Sequence, residues 1–302
     1  MNYDPFGRGP RRVDVRTIEA HDAARDRVFP IEVWSSGDES AFIVFSHAAA
    51  QGRRSAAYLG DHLASHGYTV AAIDHSELVA ATLARRDNEK EREKLRRWQD
   101  IIDSVPDVRF LLDRMHPASA RIGIVGHSLG GWTALAAAES EPRVRSVVAR
   151  APAGASNPRP GILPATLTYA RHHDVPLLLL AAENDTSLPL AGMHEIFGRT
   201  PPPKLMAILR RADHGHFLEN VEQLHERFRT MPASGDLAAI QKEMRPIAEL
   251  HSGEQAHRFV CGLTLAHFDA TLREREDAHR FLESDLERRL GAEGIEAIVV
   301  RA

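Results

Sequence analysis

Residues 121–132 read RIGIVGHSLGGW and contain the pattern G-x-S-x-G, in which Gly126, Ser128 and Gly130 hold the fixed positions. An apolar, β-like run precedes the serine, and an alanine-rich, helix-like segment follows it. A serine on such a tight turn between strand and helix has a strained backbone, and the residues two before and two after it must be small. The turn also brings the serine hydroxyl close to the free N–H groups at the start of the helix. We therefore predict that Ser128 is a nucleophile rather than a helix-capping residue.

Short apolar runs alternate with longer helical patterns along the chain, which is typical of an α/β fold with a mainly parallel sheet and helices on both faces. The first two runs mix polar with apolar residues and predict an antiparallel hairpin at the sheet edge. The later runs are almost continuously apolar, as expected of strands covered on both faces. We predict an eight-stranded sheet from residues 13–19, 27–34, 41–46, 69–74, 121–126, 143–150, 175–182 and 204–210.

Apolar residues at i, i+3 and i+4 predict helices over residues 55–66 and 101–115, and an alanine-rich run predicts a third helix over 128–139. After residue 217 the chain has a helical, charged pattern that ends in a long amphipathic run over about 258–290. We expect one domain over residues 1–302.

Two irregular segments, at about residues 75–100 and 151–170, are expected as insertions that line the substrate site. Residues 84–97, within the first, are almost all charged, with acids and bases interspersed. That mixture favours a solvated surface over a nucleic-acid patch.

Composition excludes several classes of protein. The chain has 38 basic and 42 acidic residues and a net charge of −4, which argues against a general nucleic-acid binder. Its longest apolar runs fall far short of the ~18 residues of a membrane span. The first residues, MNYDPFGRGPRR, lack the apolar segment of a secretory signal. The single cysteine, Cys261, excludes an intrachain disulfide and a cysteine-based zinc site. We predict a cytoplasmic protein without a membrane span.

A nucleophilic serine needs a base, and the base needs an acid that orients it. In folds of this kind the three follow the order serine, acid, histidine. The apolar run over residues 175–182 is followed by Glu183 and Asp185. We favour Asp185 as the acid because such acids lie a few residues beyond the strand, and Glu183 remains the alternative.

The last predicted strand is followed by the stretch RADHGHF, which contains two histidines. We favour His214 as the base because it is nearer to the strand end, and His216 remains the alternative. A metal site at Asp213, His214 and His216 is not expected, since further ligands are missing nearby. The predicted chemistry requires neither a metal nor a cofactor.

An oxyanion hole needs two backbone N–H groups aimed at the position where negative charge develops. Leu129, directly after the serine, supplies one of them. The loop FSHAAAQG, residues 45–52, is the only suitable source of the second, and its small residues allow the backbone to approach a substrate.

With these residues assembled, the chain resembles the α/β-hydrolases, and more narrowly a bacterial group of predicted dienelactone hydrolases related to platelet-activating-factor acetylhydrolases. The likeness covers most of the chain, including FSHAAAQGRRS, HLASHGYTVAAIDH, RIGIVGHSLGGWTAL, VPLLLLAAENDTSLPL and RADHGHF. It implies Ser128 as nucleophile, Asp185 as acid and His214 as base, with a phenylalanine, Phe217, three residues after the base. It also implies that the second oxyanion N–H belongs to Ala49.

One departure from this resemblance lies in the early loop, where the relatives carry glycine after the histidine and this chain has Ala48. Alanine has fewer accessible backbone angles than glycine. We expect Ala48 to adopt a negative φ that alanine tolerates.

The sequence thus predicts a serine carboxylester hydrolase that acts on small or lipid-like esters through an acyl-enzyme intermediate. An amidase or peptidase with the same triad is the nearest alternative. A third hypothesis is a hydrolase-like module without catalytic activity, which binds a ligand or a partner.

Overall fold

The computed structural model of the protein describes residues 3–37, 41–76, 78, 104–115, 117, 121–162, 164–170 and 174–302. Within these residues, nine strands form one sheet: β1 Asp14–Asp22, β2 Arg27–Ser35, β3 Phe42–Ser46, β4 Thr69–Ile73, β5 Ile122–His127, β6 Val144–Arg150, β7 Leu177–Ala182, β8 Lys204–Leu209 and β9 Ala297–Arg301. Their order across the sheet is β1-β2-β4-β3-β5-β6-β7-β8-β9.

The sheet is mainly parallel. Strands β4, β3, β5, β6, β7 and β8 run in one direction, while the hairpin β1–β2 pairs antiparallel with β4 at one edge. These observations confirm the predicted fold class and the predicted hairpin. The sheet has nine strands rather than eight, because β9 pairs antiparallel with β8 at the other edge. This short edge strand lies beyond the run at 258–290, where no strand was expected.

The described residues contain nine α-helices, most of which cover the two faces of the sheet: α1 Ala57–Ser65, α2 Ser104–Met115, α3 Leu129–Ser140, α4 Leu190–Arg199, α5 Val221–Thr230, α6 Gly235–Glu243, α7 Gly253–Thr271, α8 Glu276–Glu283 and α9 Leu286–Ala292. Successive strand residues point to opposite faces. Ile43 packs in the core with α1 and α7, and Val44 packs in the core with α2, α3 and α4. The continuous apolar runs follow from this double burial.

The predicted long amphipathic run over residues 258–290 is not one helix. It divides into α7, α8 and α9, with breaks at residues 272–275 and 284–285. Glu274 in the first break has a positive φ of 55°, which a continuous right-handed helix does not permit.

Of the two expected insertions, the first lies almost entirely outside the described residues, and so does the charged segment 84–97. The described residues of 151–170 contain neither helix nor strand, as the four prolines of this stretch indicate. Within the described ranges, none of the helices has the length and apolar character to cross a membrane.

Candidate active site

Ser128 lies on the turn between β5 and α3 with φ 58° and ψ −118°, a left-handed conformation that is costly for any residue other than glycine. Both flanking glycines are required by close contacts. A Cβ at Gly126 would overlap the carbonyl oxygen of Gly130, and a Cβ at Gly130 would overlap the carbonyl oxygen of Ser46. The sequence pattern therefore reflects the packing of this turn against β3.

Arg150, the last residue of the neighbouring strand β6, holds this turn in place. The N–H of Ser128 donates to the carbonyl of Arg150 at 2.9 Å, and the N–H of Ala153 donates to the carbonyl of Ser128 at 3.0 Å. The guanidinium of Arg150 is fully buried, and its Nη1 donates to the carbonyl of Phe217 and to the hydroxyl of Tyr58, both at 3.2 Å. Arg150 thus connects the serine turn with the turn that contains His214.

Asp185 and His214 form a close pair. Asp185 follows β7, and its Oδ2 lies 2.7 Å from Nδ1 of His214, which follows β8. The other oxygen of Asp185 accepts the N–H groups of Ser187 and Leu188, at 2.9 and 2.7 Å. These bonds orient the carboxylate towards the imidazole. Because Nδ1 is bound to Asp185, Nε2 is the nitrogen of His214 that remains for the cavity.

The pKa of His214 is set by two opposing effects. Burial lowers the pKa, but the negative charge and hydrogen bond of Asp185 outweigh burial, with a smaller contribution from Asp213. The pKa therefore lies above its ordinary value of 6.5. An imidazole in this environment readily accepts a proton.

The two alternative site residues have other partners. Glu183 accepts the backbone N–H of Arg211 at 2.9 Å and pairs with Arg210 at 3.3 Å. His216 is fully buried, and its Nδ1 accepts the N–H of Asp213 at 3.0 Å, while its Nε2 donates to the carbonyl of His251 at 3.1 Å.

Burial, together with the neighbouring His225, lowers the pKa of His216 to about 4. His216 is thus a neutral capping residue of the short 3₁₀ helix His214–Phe217. The structure brings Asp185 together with His214 and not with His216. Across the described ranges, no group of three or more His, Cys, Asp or Glu side chains is arranged to hold a metal ion.

The predicted oxyanion donors lie at the same cavity as Ser128. Leu129 is the first residue of α3, so its N–H precedes the hydrogen-bonded turns of the helix. In the early loop, the carbonyl of Ala48 accepts the N–H of Gln51 at 3.0 Å. The positive φ of this loop belongs to Ala50, at 57°, and not to Ala48. Ala48 therefore replaces the relatives' glycine without adopting a left-handed conformation, as expected.

A buried polar network supports this loop from below. Ser46 Oγ lies 2.7 Å from Nε2 of His75, whose Nδ1 lies 3.2 Å from Asp107. The N–H of His75 donates to Nε2 of His47 at 2.9 Å, and Nδ1 of His47 donates to the carbonyl of Ala48 at 2.8 Å. Burial, together with His75, lowers the pKa of His47 to about 3, so this imidazole is neutral.

Ser46, His75 and Asp107 form a second Ser–His–Asp chain, which was not predicted from the sequence. All three of its side chains are buried, and none of them lines the cavity at Ser128. The network therefore positions the loop rather than taking part in chemistry. Its members come from three separate segments of the chain, so no local pattern marks them.

A cavity of about 750 Å³ lies where the carboxyl ends of β5, β7 and β8 meet. Ser128, His214, Leu129 and Ala49 line it together with Ala153 and Ile162 from the irregular segment 151–170 and with Leu188. Another part of the lining comes from residues 218–244, which were not predicted to belong to the site. Its signal was the apolar spacing of Val221, Leu224 and Phe228, which equally fits a helix packed on the core.

The fold and the arrangement of these residues define the class: the protein is an α/β-hydrolase. The model of the PET hydrolase-like family matches residues 27–221, and the chain belongs to this family. This match confirms the resemblance to the α/β-hydrolases and narrows it to one family.

Individual relatives share only part of their sequence with this chain, at low identity. Cutinase est1 of Thermobifida alba is 27% identical over 169 residues, which cover 55% of this chain and 50% of that protein. The bis(hydroxyethyl) terephthalate hydrolase of Streptomyces coelicolor is 30% identical over 143 residues, 47% of this chain and 39% of that protein. The chain thus spans about half or less of the length of these curated relatives. A ferulic acid esterase from Streptomyces cinnamoneus superimposes with a TM-score of 0.59 over 88% of this chain and 92% of that chain. At 19% identity, this likeness supports the fold alone.

Proposed function

We propose that the protein is a serine carboxylester hydrolase that cleaves small or lipid-like esters through an acyl-enzyme intermediate. The observation that carries the proposal is the Asp185–His214 pair, at 2.7 Å, on the same cavity as the strained Ser128 turn. The names of the relatives, a cutinase, a bis(hydroxyethyl) terephthalate hydrolase and a ferulic acid esterase, are consistent with ester substrates.

In the proposed acylation step, Ser128 Oγ attacks the ester carbonyl carbon and His214 Nε2 takes the hydroxyl proton. Asp185 stabilises the resulting imidazolium through Nδ1. The carbonyl oxygen becomes negatively charged and accepts hydrogen bonds from the N–H groups of Leu129 and Ala49. When the tetrahedral intermediate collapses, the carbon–oxygen bond to the alcohol breaks and His214 donates its proton to the departing oxygen.

Deacylation repeats these roles with water. His214 Nε2 takes a proton from a water molecule, whose oxygen attacks the acyl carbon, and the same two N–H groups hold the negative charge. The bond to Ser128 then breaks, His214 returns the proton to Oγ, and the carboxylic acid leaves. The cycle consumes one ester and one water and requires no cofactor. We also propose that residues 1–302 form a single domain.

The decisive experiment exposes the purified protein to a fluorophosphonate probe and compares an ester with the anilide of the same acid. We expect covalent labelling of the native protein and none of the heat-denatured control. The ester should react at least about 10²-fold faster, because the amine of an anilide is a poorer leaving group that must be protonated. Comparable rates would indicate an amidase, and a protein that neither labels nor hydrolyses would be a non-catalytic module.

The pH dependence of kcat/KM follows from the pKa of His214. Only the neutral imidazole acts as a base, so activity should fall about tenfold for each pH unit below that pKa. Because Asp185 raises the pKa, the midpoint should lie above 6.5. Asp185→Asn removes this carboxylate, so it should move the midpoint to lower pH and reduce kcat by about 10³-fold or more.

Rates on an activated ester between pH 5 and 9 measure this midpoint, and circular dichroism over the same range excludes unfolding as the cause. A midpoint that stays unchanged in Asp185→Asn would contradict the assigned pairing.

A further inference from the structure

One side of the cavity is lined by apolar side chains from a single stretch of chain: Leu218, Leu224, Phe228, Met231 and Met244. All except Leu218 lie beyond residue 221, where the match to the family model ends. His225 and Arg227 also belong to this lining, but His225 is buried and Arg227 is exposed to solvent. We call residues 218–244 the C-terminal wall.

The C-terminal wall is held in place by hydrogen bonds among its own residues and with the segment that follows it. The side chain of Gln241 in α6 donates to the carbonyls of Phe228 and Met231, at 2.6 and 3.0 Å. Nε2 of His225 donates to the carbonyl of Arg245 at 2.9 Å, and Glu226 accepts the N–H of Ile247 at 2.9 Å. These hydrogen bonds therefore fix the position of the apolar lining.

The position of the C-terminal wall relative to His214 indicates which part of an ester it contacts. Helix α5 packs against the 3₁₀ helix His214–Phe217, so the C-terminal wall lies on the histidine side of the site. His214 must reach the alcohol oxygen, because it donates the proton with which the alcohol leaves. The carbonyl oxygen faces the N–H groups of Leu129 and Ala49 instead. The alcohol part of the ester therefore extends towards the C-terminal wall.

We propose that the C-terminal wall binds the alcohol part of the substrate, and that the preferred esters carry a bulky apolar alcohol. This inference rests on the proposed function and adds a substrate class to it. A cavity of about 750 Å³ falls in the range of sites that enclose small organic ligands. Met231 and Met244 provide a flexible lining that adapts to alcohol groups of different shape.

Two ester series test the proposal by titration of the released acid: alkyl acetates from ethyl to octyl, and methyl esters from acetate to octanoate. Each methylene that becomes buried raises kcat/KM by roughly fourfold. With partial burial, we expect kcat/KM to rise by at least about 30-fold along the alkyl acetates and by much less along the methyl esters.

Variants of α5 link this preference to the C-terminal wall. Phe228→Ala should lower the ratio of kcat/KM for octyl acetate to that for ethyl acetate by about tenfold. Met231→Trp, which fills the cavity instead of opening it, should also lower the ratio and serves if Phe228→Ala does not fold. Gln223→Ala alters an exposed residue of the same helix that does not line the cavity and should leave the ratio unchanged.

A preference for long acids over long alcohols, or an unchanged ratio in folded Phe228→Ala and Met231→Trp, would overturn the inference while ester hydrolysis itself stands. A protein that hydrolyses no ester and does not react with the fluorophosphonate probe would instead contradict the proposed function, and the inference with it.

Discussion

Ser128→Ala is expected to lower kcat for ester hydrolysis by at least ~10³-fold and to abolish labelling by a fluorophosphonate probe. The substitution removes the attacking oxygen and keeps the Cβ, so the turn and the fold should persist. Rates on an activated ester, labelling on a gel and a thermal melt measure these three properties. A folded variant that retains more than a tenth of wild-type kcat would show that Ser128 is not the nucleophile.

The chain offers a matched control for this variant. Ser46 also contacts a histidine, at 2.7 Å, but within the buried Ser–His–Asp chain beneath the early loop. Ser46→Ala should still be labelled by the probe, although more slowly, because Ser46 has no access to the cavity but its network positions the loop that contains Ala49. If labelling is instead lost in Ser46→Ala and kept in Ser128→Ala, the nucleophile assignment is wrong.

The second large effect separates two histidines that are two residues apart. His214→Ala should reduce kcat nearly as much as Ser128→Ala, by about 10³-fold or more, because triad members act as a unit. His216→Ala should have a far smaller effect on kcat and a clear effect on stability. It leaves the N–H of Asp213 and the carbonyl of His251 without their buried partner, at a cost of about 1–3 kcal/mol.

Measurement of kcat and of the unfolding midpoint for both variants distinguishes the two roles. The opposite ranking, with a large loss of kcat in His216→Ala only, would move the base to His216. A loss of stability without a loss of kcat in His214→Ala would contradict the proposed mechanism as a whole.

Features that depend on neighbouring residues were predictable from the sequence. The turn at Ser128 needs two small residues at fixed distances, so its pattern is local, and the strands of the parallel sheet are marked by continuous apolar runs. The choice between His214 and His216 was different. It depends on the 3₁₀ helix that begins after Asp213. The N–H of Asp213 binds the imidazole of His216, so His214 is the histidine that faces Asp185.

Three features that depend on distant residues were not predicted. Strand β9 is short and half-exposed and exists because it pairs with β8. The network of Ser46, His75 and Asp107 joins residues far apart in the chain. The apolar face of α5 has the spacing of an ordinary core helix, and only its position beside His214 shows that it faces a cavity.

The position of Arg150 affects which parts of this protein can change in evolution. One buried residue binds the serine turn through its carbonyl and the histidine turn through its guanidinium, so the spacing of the reacting groups is set inside the sheet. Arg150, Ser128 and Phe217 all lie within the span shared with the family, whereas α5 and α6 do not, apart from Val221. With the substrate contacts proposed above, exchanging these outer helices while keeping the packing of α5 against the 3₁₀ helix His214–Phe217 is expected to change the substrate range without rebuilding the turns that carry Ser128 and His214.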